Sequence, residues 1–290
     1  MSIYSIKDLE ILSGIKAHTL RIWEQRYQII EPKRTDTNIR FYDDTDLRKI
    51  LNIALLNQNG YKISKIAGMP EPAIVEEITR ITTTDLKYPE QVSALVLCMI
   101  AYDELAFDKV MAKNMLQFGF ENTMTHIILP FLKKVGLLWL TGAINPSQEH
   151  FISHLIRQKM LVAIDGQIES RHAKAKKFLI FLPEGEYHDI PVLFAAYIIR
   201  QRNSKVLYLG QSLPLEHVVG AEQNYNPDYI LINLVIAPLD YSVSSYVIEI
   251  SAKFPNTMIL LTGYQFANLD ITFPSNVKYL KNFAELEYLL

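Results

Sequence analysis

From residue 177 to residue 280 the chain alternates short apolar runs with helix-length segments, a pattern that few folds accept. The runs are Phe178–Leu182, Val206–Leu209, Tyr229–Leu234, Met258–Thr262 and Val277–Leu280, and helical patterns at Val192–Arg202, Pro214–Gln223, Tyr241–Phe254 and Ala284–Leu289 separate or follow them. A run such as YILINL is apolar almost throughout, as a parallel strand covered on both faces must be. Strand–helix alternation then predicts a doubly wound, flavodoxin/Rossmann-like sheet of five parallel strands. Such sheets bind ligands at the carboxyl ends of their strands. The stretch GEYHDIP, residues 185–191, directly follows the first strand, so His188 is placed for a ligand. An ordinary surface histidine in a βα loop is the plainer reading.

At 290 residues the chain exceeds the size at which one hydrophobic core keeps growing, so several domains are expected. We divide it into residues 1–71, 72–172 and 173–290. The net charge is −2, which gives no global sign of nucleic-acid binding; any such signal must be local. Cys98 is the single cysteine; it excludes internal disulfides and thiolate zinc clusters, and lies in an apolar helical run that suits a buried position. The longest apolar run, Ala94–Ala101, is far too short to span a bilayer. The expectation is a cytoplasmic protein with no membrane partner.

The first 70 residues read as short helices around a basic hairpin. Ser5 and Asp8 have capping-box spacing, and Ile6, Leu9 and Leu12 share an apolar face. Ser13-Gly14 breaks that helix, and Lys16–Tyr27 forms a second with Leu20, Ile22 and Trp23 available for packing. Two short helices joined by a glycine turn form the helix-turn-helix pattern, whose second helix enters the major groove. Glu31–Tyr42 suits a hairpin wing in which Lys33, Arg34 and Arg40 reach phosphates. Helices follow at Leu47–Asn57 and Ile63–Met69. Residues 1–70 hold eleven Lys/Arg and eight Asp/Glu, about +3 against −2 for the whole chain. The placement of those cations matters more than their number.

The motifs Tyr4-x-Ile6-x-x-Leu9, Gly14-Ile15, Thr19-Leu20-Arg21-x-Trp23-Glu24-x-Arg26-Tyr27, Pro32-x-Arg34 and Arg40-x-Tyr42 resemble the MerR-type winged helix-turn-helix across nearly all of residues 3–69. The resemblance implies DNA contacts from Lys16, His18, Thr19, Arg21, Arg26, Lys33, Arg34, Arg40 and Tyr42, with Trp23 and Tyr42 also suited to packing. It departs at Gln28 and Asn38, where a glycine is common; asparagine tolerates positive φ. The family's homodimeric state implies double-stranded DNA with a pseudo-palindromic operator. No sustained heptads follow residue 70, so dimerisation must be arranged otherwise.

Pro70, Pro72, Thr82–Thr84 and Pro89 suggest a hinge. Helical patterns then run over Pro89–Tyr102, Phe107–Phe118, Glu121–Leu140 and Ser147–Ser170, enough for a four-helix bundle. His150 and His154 stand four apart, a spacing that can bind zinc, but no third ligand accompanies them. On spacing alone, Trp139 and His150 read as core or interface residues.

Trp139 followed after nine residues by Glu149-His150, with Glu186-x-His188 in an α/β unit, resembles the cobalamin-binding regulators that carry a MerR-type head. The resemblance implies Trp139, Glu149 and His150 on the upper side of the corrin, and His188 as the lower ligand of cobalt with Glu186 behind it. In light-responsive members a histidine follows the Trp; here Leu140 does. The α/β signature is also altered: Pro191 replaces a glycine, Asn233 stands near the expected serine, and Gly263-Tyr264 keeps one glycine of a pair. Asn233 and Gly263 are thus expected beside the cofactor's nucleotide tail. The overall expectation is a transcriptional regulator, acting as a repressor, that senses a ligand, with cobalamin the one the resemblance implies, and is controlled through homodimer or higher homo-oligomer formation. The alternative is a degenerate pocket controlled by a protein anti-repressor. Nucleophile elbows, P-loops and GxGxxG are absent from the sequence, and no enzyme activity is expected.

Overall fold

The computed structural model describes residues 4–34, 38, 40–83, 87–140, 142, 144–168, 174–236, 242–267, 269 and 271–290. Thr84, Ser170 and Tyr241, which the expected hinge and helices include, lie outside them. The chain divides into two compact units, Met1–Ser153 and His154–Leu290.

In the first unit, α1 (Ile6–Ser13) opens with a reciprocal capping box: the Asp8 amide donates to Ser5 Oγ (3.2 Å) and the Ser5 amide to Asp8 Oδ2 (2.7 Å). Gly14, at φ 72°, closes it in the left-handed conformation that glycine adopts without strain. Glu10 Oε2 accepts from the Ala17 amide at 3.0 Å and so caps α2 (Ala17–Tyr27). The wing is an antiparallel pair, β1 (Lys33–Arg34) and β2 (Arg40–Phe41). Gln28 and Asn38, the two departures from glycine, both take positive φ, 52° and 65°. Asp43 caps α3 (Asp44–Gln58), accepting from the amides of Thr45 and Asp46; α4 spans Ile63–Ile66.

The expected hinge is a helix. Residues Glu71–Thr83 form α5, and its Ile74 and Ile78 enter the same core as Leu9, Leu20, Trp23 and Ile50. The Tyr61 hydroxyl donates to Glu77, and Arg80 bridges both, reaching the Tyr61 oxygen at 2.8 Å. Two prolines at the start of a segment are compatible with a helix's first turn, where the amides have no intrahelical partner; the isoleucine spacing carries the rest.

Beyond it lie α6 (Pro89–Ala101), α7 (Glu104–Phe118) and a long helical stretch of α8 (Phe120–Thr123), a π-helical turn (Met124–Ile128) and α9 (Leu129–Leu140). Leu137 and Leu140 of α9 join the head's core. Phe120–Leu140 is long and apolar enough, by length and composition, to cross a membrane. It buries Ile127, Ile128 and Phe131 within the fold while Lys133 and Lys134 interrupt it, the pattern of a bundle helix. Helix α10 (Pro146–Asp165) ends earlier than its sequence pattern suggested.

Among the described residues the second unit holds five parallel strands: β3 (Lys177–Pro183), β4 (Lys205–Leu213), β5 (Tyr229–Asn233), β6 (Met258–Thr262) and β7 (Val277–Tyr279), in the order β4-β3-β5-β6-β7. Alternate residues feed opposite faces. Phe178, Ile180 and Leu231 pack with Val192, Ala195 and Ile199 of α11 (Ile190–Gln201) and Leu286 of α15 (Phe283–Glu287). Leu179, Phe181 and Ile232 pack with Val218 of α12 (Leu215–Tyr225) and Val247 of α13 (Val243–Lys253). The strand order reverses between β3 and β5, so the crevice for ligands lies beyond their carboxyl ends. A short α14 (Tyr264–Ala267) follows β6. The strand β4 runs further than its apolar core, with an irregular register beyond Tyr208.

Candidate functional site

At the switch point, the loop after β3 is built around Glu186. Gly185 takes φ 80° to start the turn, and Glu186 is 1% exposed. Its Oε1 accepts from the amides of Tyr187 and His188, both at 2.9 Å, and from His188 Nδ1 at 2.6 Å. Its Oε2 accepts from the amides of Val235 (2.7 Å) and Ile236 (3.1 Å), just past β5. Burial pulls the Glu186 carboxyl's pKa upward, but the His188 hydrogen bond and the backbone donors outweigh it and hold the pKa below the usual glutamate value. The carboxylate is therefore ionised near neutral pH and can only accept, which makes His188 Nδ1 the donor. When the imidazole is neutral, this arrangement leaves the lone pair that a metal would take on Nε2, and the carboxylate is the partner that orients such a ligand. The His188 side chain is 46% exposed.

The loop is braced from both sides. Ser212, at φ 50°, donates its amide to Glu186 O (3.1 Å), and its hydroxyl accepts from the Gly185 amide (3.1 Å). Gln211 Nε2 donates to Tyr187 O at 2.8 Å. Asn233, 2% exposed, donates from Nδ2 to His188 O at 3.4 Å and accepts from Thr262 Oγ1 at 3.2 Å. Asp189, also buried, turns away from the helix it precedes. It accepts from Arg157 Nε at 2.7 Å and from the Tyr208 hydroxyl at 3.5 Å. Arg157, on α10, and Asp189 carry no spacing rule that could have paired them in sequence. Pro191 sits in the first turn of α11, where a missing amide hydrogen is no loss. Gly263, at φ 105°, brings its backbone against Leu234: a Cβ there would stand 2.3 Å from Leu234 O.

In the first unit, Trp139 is 39% exposed and the His150 side chain 70% exposed. The core reading from spacing is therefore corrected: neither side chain is buried in a core. Glu149 accepts from Ser153 Oγ at 2.7 Å and lies 3.6 Å from His150 Nδ1. Among the described residues no three His, Cys, Asp or Glu side chains are grouped to hold a metal ion.

The head presents its cations on α2 and the wing. Lys16, His18, Arg21 and Arg26 are exposed, and Thr19 Oγ1 lies 3.3 Å from His18 Nε2. Lys16 pairs with Glu10 at 3.5 Å, and Arg26 lies over the Tyr27 ring. Lys33 is held by Asp43 and, at 3.1 Å, Asp46, so its ammonium pKa is raised and that of Asp43 lowered to about 2, chiefly by this pair. Arg34 donates to Asn38 Oδ1 (2.8 Å) across the wing turn, and Arg40 lies 3.8 Å from Glu24. In the register of the wing Arg34 stands opposite Arg40; like charges so placed repel, and a phosphate between them would relieve it. The expectation that Tyr42 reaches DNA is corrected. Its ring is 0% exposed, its backbone bridges to Tyr4, and its hydroxyl donates to Glu24 at 3.4 Å. Tyr42 is a core residue that positions Glu24, and through it Arg40.

Residues 4–71 match the model of the MerR HTH family regulatory proteins, and residues 92–163 match a B12-binding domain. The chain is 26% identical over 239 residues to the HTH-type transcriptional repressor CarH of Myxococcus xanthus, covering 80% of this chain and 79% of that protein. It is 24% identical over 255 residues to the repressor CarA of the same organism, covering 86% and 84%. Among solved structures, the monomethylamine corrinoid protein of Methanosarcina barkeri superimposes with a TM-score of 0.55 at 14% identity, over 70% of this chain and 97% of that one; at this identity the likeness concerns the fold alone. The named relatives are regulators, not enzymes.

Proposed function

We propose that this chain, which joins a MerR-type helix-turn-helix domain to a B12-binding domain in the manner of its repressor homologues, is a DNA-binding repressor that senses a corrinoid. The functional division we assign is residues 1–71 for reading DNA, 72–172 for the upper side of the ligand and 173–290 for the lower side. The observation that carries the sensing role is the Glu186–His188 pair: a buried, ionised carboxylate fixes the imidazole tautomer that a metal requires. Bound corrinoid would supply a cobalt ion able to take one imidazole nitrogen and an exchangeable upper ligand. This chain's part is to hold and orient His188, with Trp139, Glu149 and His150 available to the upper side. Occupancy changes DNA affinity through different ligand affinities of two assembly states. The DNA partner is a pseudo-palindromic operator bound by a homodimer or higher homo-oligomer. Lys16, His18, Thr19, Arg21 and Arg26 act from α2, and Lys33, Arg34 and Arg40 from the wing.

The test combines a visible spectrum, light scattering and DNA binding on the full chain with hydroxo-, methyl- and adenosylcobalamin, in the dark and after illumination. The expected result is a coloured complex that His188→Ala loses, with a change in mass and in DNA affinity. The closed contacts around Asn233 favour a second reading, in which the pocket is degenerate and an anti-repressor protein docks on the head. No colour, with His188→Ala indistinguishable from the parent, would support that one.

A further inference from the structure

The loops that follow β3, β5 and β6 are tied to one another around Asn233, the position that the resemblance sets beside a nucleotide tail. Asn233 has both ends of its amide in use, on His188 O and on Thr262 Oγ1, and is 2% exposed. The same Thr262 hydroxyl reaches Ile232 O at 3.1 Å. The Leu234 amide donates to Thr262 O at 3.0 Å, and the Gln265 amide and side chain donate to Leu234 O (3.2 Å) and Val235 O (3.0 Å). The space that glycine leaves at position 263 is filled by Leu234 main chain. Opening a slot between β5 and β6 would strip partners from a buried amide, a loss of the kind that polar interiors resist. The outer surface of the same three loops offers instead exposed Tyr187 (62%), Ile236 (49%) and Tyr264 (54%) beside the half-exposed His188. Apolar and aromatic faces of this kind suit a flat, largely apolar ring.

Resting on the corrinoid reading above, we infer that the α/β unit accepts a corrinoid ring through His188 without seating a nucleotide tail between β5 and β6. Asn233 is the residue that shuts that slot. In cobalamin the tail's own base occupies the lower cobalt position, so His188 must displace it, and the displaced tail finds no site in this unit. A tail-less corrinoid carries water there, which His188 replaces without that penalty. Asn233 is thus a specificity-determining residue that selects against the intact nucleotide loop.

The experiment titrates the full chain in the dark with diaquocobinamide and with hydroxocobalamin, following the visible spectrum. The unaltered protein is expected to bind the cobinamide at least tenfold more tightly, roughly the discrimination that 1.4 kcal/mol provides. Asn233→Ser is expected to tighten cobalamin about tenfold and leave cobinamide unchanged, while His188→Ala removes the spectral shift with both. Equal or tighter binding of hydroxocobalamin by the unaltered protein overturns the inference while leaving the corrinoid reading intact. So does an unchanged ratio in a folded Asn233→Ser variant. Equal or tighter cobalamin binding by the unaltered chain overturns the inference even if that variant fails to fold. Binding of neither corrinoid overturns the corrinoid reading and this inference with it.

Discussion

In the reading head, Lys33 is half-exposed between Asp43 and Asp46, Arg40 lies 3.8 Å from Glu24, and Arg34 leans on Asn38. At the end of β3, by contrast, Glu186 is 1% exposed and accepts from five donors among the described residues. The head's charges hold each other loosely enough to be lent to a phosphate: exposed pairs gain little, because water screens them and side-chain entropy opposes them. The loop's carboxylate cannot be lent to anything. Leaving its backbone donors unpaired inside the protein would incur a full desolvation penalty. One region is built for exchange of partners, the other for fixing a single imidazole.

Removing Glu186 tests that contrast most severely. Glu186→Ala leaves four amides and His188 Nδ1 without their acceptor, and is expected to lower the stability of the α/β unit by about 3 kcal/mol. Urea denaturation followed by intrinsic fluorescence would measure it; a change below about 1 kcal/mol would mean the donors find other partners. Gly263→Ala adds a Cβ 2.3 Å from Leu234 O at φ 105°. It is expected to be destabilising by about 2 kcal/mol through strain at that backbone, read from the same urea transition.

The head should respond more gently. Arg21→Ala and Arg34→Ala are each expected to weaken DNA binding about tenfold at moderate salt and to reduce the slope of log affinity against log salt by about one. Fluorescence anisotropy over a salt series measures both quantities. Unchanged affinity in both variants would show the reading surface to lie elsewhere. The smallest effect belongs to Asp43, which caps α3. Asp43→Ala is expected to lower the head's stability by about 1 kcal/mol, seen as a small shift in a urea transition followed by circular dichroism. Its pH dependence has a definite sign. The folded-state pKa, about 2, lies below the ordinary 3.8, so Asp43 contributes stability above about pH 4 and loses it progressively as the pH falls toward 2. The Asp43→Ala variant should therefore show a shallower acid transition in that window than the parent.

Much of this was legible in the residues. Ser5 and Asp8 announced the start of α1, Gly14 its end, and the five apolar runs the sheet, because each depends on chemistry within a few positions. The loop was legible too: Glu186 and His188 are expected directly after the first strand of the α/β unit, where they stand hydrogen-bonded to each other. Three readings changed, in whole or in part, for one physical reason. Glu71–Thr83 looked like a hinge because its prolines are local signals, whereas its helix is held by Ile74 and Ile78 in a core assembled from distant segments. Tyr42 is expected from the resemblance either to touch DNA or to pack, and the tertiary structure selects packing by burying it entirely. Trp139 and His150 read as core or interface residues from spacing, and their exposure removes only the core half of that reading.

The sequence by itself determined the five strands with their parallel sense, most of the helices, the cations of the head and the presence of Glu186 and His188 in one loop. These follow from periodicity, capping and short-range spacing, which are properties of neighbours along the chain. Tertiary structure alone decided that Val235 and Ile236 complete the cage around Glu186, that Arg157 holds Asp189, and that Asn233 ties to the His188 main chain. Those partners lie 32 to 50 residues apart in sequence. The meeting of the β3 and β5 loops is set by the reversal of strand order between those strands, while Arg157 comes from α10, and no local pattern of residues encodes either.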